Sequence, residues 1–137
     1  MVKTPGLPSS QARREPHAAP VIIVPIWRER FSNLETLRVM RTDRFRGDSP
    51  LFFVGPHDLN TDFYRALWTD AEFEFFSAQH FQSVLHYSKW LLTAEPYRRF
   101  LDWEHIVLVQ PDSFLNRHLR KEDLQWDYCG APWDPGW

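Results

Sequence analysis

The chain reads as an α/β domain built on a Rossmann-like, mostly parallel sheet with helices on both faces. Three observations predict this. Short apolar runs rich in β-branched or aromatic residues, bounded by proline or glycine or followed closely by one, occur at 21–26, 51–54 and 106–109, as expected of strands buried on both faces. Segments with helical spacing separate them, and a parallel sheet needs such crossover segments. No internal repeat or low-complexity tract points to a solenoid instead.

Taken in order, residues 1–19 combine proline, glycine, serine and arginine without periodicity and are expected to form a flexible leader, with the domain running over 20–137. Val21 to Ile26 is the first strand. Ser32 and Glu35 then have capping-box spacing, and Leu34, Leu37 and Met40 continue at helical intervals, so a helix is expected to end near Arg44. Leu51–Val54, closed by Gly55-Pro56, is the second strand, and Asn60 or Thr61 is placed to cap a short helix through Trp68. Glu72–Phe76 alternates charge with aromatic residues, the pattern of a half-exposed edge strand. Phe81, Val84, Leu85, Ser88, Leu91 and Leu92 recur at helical intervals and define one apolar stripe. Pro96 suits the first turn of a short helix with Tyr97, Phe100 and Leu101 on its apolar side, and Ile106–Val109 is the last strand.

Composition narrows the function classes. The 137 residues suffice for one small core, and 43% hydrophobic content beside 25% charge is globular rather than disordered. Sixteen basic against eighteen acidic residues leave a net charge of -2, so no global field attracts nucleic acid and none is expected as a partner. The single Cys129 can form neither an internal disulfide nor a multi-cysteine zinc site. The histidines stand alone or too far apart on a helix to make a metal cluster. The N-terminus has no apolar core after its charges, and no run approaches the roughly 18 apolar residues of a membrane span. A cytoplasmic protein without a membrane span is the expectation.

The stretch VLVQPDSFL places a carboxylate directly after a buried strand. Ligands of open α/β sheets bind at the carboxyl ends of strands. Pro111 ends the pairing, leaving Asp112 in that crevice, where a carboxylate can hold a divalent cation that carries phosphates. Pro-Asp-Ser is equally ordinary turn chemistry, and both roles remain open at this point. Lys89 and Tyr87 lie on opposite shoulders of the apolar stripe; Lys89 also fits a snorkelling surface lysine. Gly130 allows close backbone approach and Trp133 offers a stacking face, although Tyr128 and Trp133 also fit as cover for the core.

The longer pattern YSKWLLTAEPYRRFLDWEHIVLVQPDSF, followed by WDYCGAPW at Trp126–Trp133, resembles a family of uncharacterised domains related to the GT-A glycosyltransferases. The matching residues are Tyr87 with Leu91 and Leu92, Tyr97 with Phe100, Gln110-Pro111-Asp112, and Asp127 through Trp133. The resemblance spans about Val21 to Trp133. It implies a nucleotide-sugar donor, transfer of the sugar to an unknown acceptor, and a donor site drawn from Gln110, Asp112, Lys89, Tyr87, Gly130 and Trp133. It also implies a divalent cation, Mn²⁺ or Mg²⁺, at Asp112; Gln110 stands where the broader group has a first aspartate and contributes no charge. No catalytic residue is identified. The resemblance further implies that the chain corresponds to the donor half of such a domain, with truncation at its C-terminal side as the expectation, and its tryptophan-rich end predicts self-association. A non-catalytic binding module that retains the fold is the alternative.

Overall fold

The β-branched run after Pro20 becomes a central strand of the sheet. In the computed structural model, which describes residues 15–130, the elements are β1 (Val21–Pro25), α1 (Asn33–Phe45), β2 (Leu51–Pro56), α2 (Asp62–Leu67), β3 (Glu72–Phe76), α3 (Val84–Leu91), α4 (Glu95–Arg98) and β4 (Ile106–Leu108). Single 3-10 turns occupy Ala78–Phe81 and Lys121–Leu124. The four strands pair in the order β3-β2-β1-β4, every pair parallel. The fold is therefore the α/β, Rossmann-like arrangement that the strand and helix alternation predicts. Among the described residues no helix is long and apolar enough to cross a membrane.

Alternation along β1 and β2 explains why their sequences are apolar throughout. Ile22, Val24, Leu51 and Phe53 pack on one face with Phe31, Val39, Tyr64 and Trp68, beneath α1 and α2. Val21, Ile23, Phe52 and Val54 pack on the other with Phe76, Trp90 and Phe100, beneath α3 and α4. A strand covered on both faces has no position left for a polar side chain. Gly55 serves this packing, because a Cβ there would stand 2.9 Å from both Cγ1 and the carbonyl oxygen of Ile26.

Local signals account for the helix starts. Ser32 Oγ accepts the Glu35 N–H at 3.2 Å while Glu35 Oε2 accepts the Ser32 N–H at 2.8 Å, completing the capping box. At α2 it is Asn60 that caps, its Oδ1 accepting the Asp62 N–H at 3.0 Å; the Thr61 hydroxyl instead accepts from Arg65 Nε. Pro96 sits in the first turn of α4. β3 lies at the sheet edge, with its first residue exposed and its last buried. His17 pairs with the 102–104 segment, its N–H donating to Asp102 O at 2.8 Å.

Two apolar stripes do not face the sheet. In α3 the buried side is Trp90 with the partly buried Tyr87 and Leu91, whereas Val84, Leu85 and Leu92 are exposed. The helix is apolar on both sides, so its spacing alone does not choose which side is buried, and the bulkier aromatic face wins because it removes more surface from water. In α1 the core contacts come from Val39 and Thr42, while Leu34, Leu37 and Met40 point to solvent.

Candidate functional site

Strand order determines where a ligand crevice can open. Successive crossovers carry the chain from β1 to β2 to β3 in one direction, and the next returns it past β1 to β4. The direction thus reverses between β1 and β4, and the loops after those two strands separate there. One lip is the segment after β1. Its Arg28 carbonyl accepts the Tyr64 hydroxyl at 2.7 Å, and the Arg28 guanidinium reaches both Glu35 carboxylate oxygens at 2.7 and 2.6 Å. Trp27, at the end of this lip, is exposed, with Arg28 stacked over its ring.

The other lip follows β4. Val109 extends the pairing, its N–H donating to Ile23 O at 2.8 Å, and the chain then turns tightly, with the Ser113 N–H donating to Gln110 O at 2.8 Å and the Ser113 hydroxyl to the same oxygen at 2.9 Å. Pro111 and Asp112 occupy the two central positions, where proline's fixed φ suits the first. The turn role and the ligand role of Asp112 are compatible, because the turn leaves the residue exposed after the end of β4.

Tyr87 reaches this turn from α3. Its hydroxyl oxygen is buried and has no hydrogen-bond partner among the described residues. Burial pushes its phenol up to about 12; the nearby Gln110 amide acts in the opposite direction, while Tyr97 and Asp112 add to the rise. The phenol is therefore neutral at physiological pH, a proton donor rather than a base. Tyr97 is itself fixed by donating its hydroxyl to Leu91 O at 2.7 Å. Beneath Tyr87, a cavity of about 30 Å³ opens between α3, α4 and the ends of β1 and β4, with Pro25, Trp90, Tyr97 and Leu108 among its walls. That is room for about one water molecule.

The fold thus brings together Tyr87, Gln110 and Asp112, with Tyr97 as a neighbour. Lys89 is not brought to them. It is exposed and lies about 200° around α3 from the inward-turned Tyr87. Gly130 is exposed, and the atom a Cβ there would crowd, at 3.0 Å, is the hydroxyl of Tyr128. Trp133 lies outside the described residues.

Among the described residues no cluster of three or more His, Cys, Asp or Glu side chains is placed to hold a metal ion. A divalent cation at Asp112 would take one carboxylate and the neutral oxygen of Gln110, and phosphate and water oxygens would complete its shell. That donor set suits Mg²⁺ or Mn²⁺ delivered with a nucleotide.

Residues 70–137 match a family model described as "Protein of unknown function (DUF5672)". The matched span begins just before β3 and contains Tyr87, Gln110 and Asp112. No curated protein and no solved structure matches the chain.

Proposed function

We propose that the crevice between β1 and β4 binds the diphosphate and ribose of a nucleotide-sugar, and that the chain is the donor-binding part of a GT-A-like glycosyltransferase acting on an unknown acceptor. The observation that carries the reading is the buried hydroxyl of Tyr87, without a hydrogen-bond partner among the described residues, beside Gln110 and the exposed Asp112, at the point where strand order reverses. In this reading Tyr87 donates to a ligand oxygen and Gln110 accepts a ribose hydroxyl or assists the metal. Asp112 holds the cation. When bound, the ion supplies Lewis-acid stabilisation of the departing diphosphate. Lys89, Gly130 and Trp133 enter only through the family resemblance.

A second reading is a binding module that keeps the fold without catalysis, and the neutral Gln110 in place of a first carboxylate favours it. Such a module holds a partner on its aromatic surface and needs no nucleotide at the crevice. Calorimetric titration of uridine and guanosine diphosphates, with and without Mn²⁺, distinguishes the two. Metal-assisted binding is expected in the wild type and is expected to fall by at least about tenfold in Asp112→Ala, which removes the cation's one carboxylate ligand. Binding indifferent to Asp112 counts against the site.

A further inference from the structure

Helix α1 turns outward what a surface helix normally turns inward. Leu34 is 56% exposed, Leu37 63% and Met40 40%, although the helix has ample polar residues to face solvent. At about 100° per residue, Leu37 and Arg44 lie at the pole opposite Val39 and Thr42, with Met40 and Arg41 to either side. Arg38, Arg41 and Arg44 make no ion pair with the described residues, whereas the neighbouring Arg28 and Arg46 are both paired. Aromatic faces hold two of them instead. Arg41 lies 5.6 Å from the Phe45 ring and 5.4 Å from the Phe114 ring, and Arg44 lies 5.7 Å from Phe45. Between α1 and Phe114, itself 46% exposed, is an open hollow of about 510 Å³. Three arginines line it and, among the described residues, no carboxylate does.

We propose that this face docks an acidic, amphipathic helical segment of a partner protein, whose apolar side chains fill the hollow and whose carboxylates pair with Arg38, Arg41 and Arg44. Charge complementarity selects the occupant. Planar guanidiniums bind carboxylates in bidentate fashion, and stacking on aromatic rings keeps their donors pointed outward at little entropic cost. The 13 residues of α1 extend about 20 Å, enough for about four turns of a partner helix laid along it. An anionic bilayer fits less well. The surface is a hollow with Phe114 standing beside the helix, whereas an interfacial helix needs a free apolar face to enter the bilayer. The inference is independent of the crevice reading, since it uses none of Tyr87, Gln110 or Asp112.

The test is selection from a displayed library of random peptides about 15 residues long, long enough to form a helix on binding, against the full chain, with Arg41→Glu/Arg44→Glu as counter-target. The expected consensus places acidic and large apolar residues at helical spacing. The selected peptide should bind the double variant at least about tenfold more weakly, and a peptide with lysines in place of its acids should prefer that variant. Leu37→Ala, which changes no charge, should also weaken binding. All three positions are on the exposed side of α1, so an unchanged melting temperature will show that the variants fold. A consensus without acids, no enrichment over the counter-target, or equal binding by wild type and double variant overturns the proposal. So does binding to phosphatidylcholine vesicles with roughly one-third phosphatidylserine that the double variant loses, because that assigns the face to a membrane.

Discussion

Tyr87 carries a hydroxyl that folding has removed from water without giving it a partner among the described residues. An orphaned polar group of this kind costs about 1–3 kcal/mol, and folded proteins meet it with a bound water, an ion or a ligand. Tyr87→Phe should therefore leave the melting temperature unchanged or raise it, while weakening nucleotide diphosphate binding about tenfold. Paired thermal melts and titrations check this; a variant that loses stability but keeps its affinity would make the hydroxyl structural. The carboxylate at Asp112 was legible in the sequence because a proline after a β-branched run both ends a strand and builds a turn. The orphan at Tyr87 was not legible, since burial of one atom depends on how α3, α4 and the turn after β4 meet, and no local pattern encodes that meeting.

At the scale of elements, α1 and α3 show which sequence signals are decisive. The capping box of α1 was readable because it is local, involving only Ser32 and Glu35. Ser32→Ala should cost about 1 kcal/mol in urea denaturation. Burial pushes the Glu35 carboxyl up, but hydrogen bonds from the Ser32 backbone and hydroxyl, together with Arg28, outweigh it and hold the pKa below its ordinary 4.5. A depressed carboxylate pKa stabilises the fold above the unfolded value and loses that contribution as pH falls through the folded one. The cap should therefore weaken progressively below pH 4.5, and Glu35→Gln should flatten that part of the acid limb of a stability–pH profile. For α3 the periodicity was real but ambiguous, because apolar residues occupy both sides. Leu85→Lys on the outer side should change stability by less than about 0.5 kcal/mol, whereas Trp90→Ala should cost about 3–5 kcal/mol. Equal costs would mean that the outer side is packed in solution.

For the molecule as a whole, the alternation of strands and helices was enough to read the fold class, because doubly buried strands have continuous apolar runs and crossover segments must separate parallel strands. It did not supply the strand order β3-β2-β1-β4, in which the last crossover returns past β1. That order places the turn of Gln110–Ser113 opposite the lip carrying Trp27 and Arg28, and it turns a lone aspartate into a candidate site. The hollow on α1 lies on a different element from the turn of Gln110–Ser113, so the two proposals can be tested separately. The most direct test of the central claim is a crystal structure of the chain with uridine or guanosine diphosphate and Mn²⁺. The diphosphate is predicted between the lips after β1 and β4, with a ligand oxygen within hydrogen-bond reach of the Tyr87 hydroxyl and the cation on Asp112. A nucleotide seated elsewhere, or a crevice in which Tyr87 and Asp112 touch no part of it, would contradict the account.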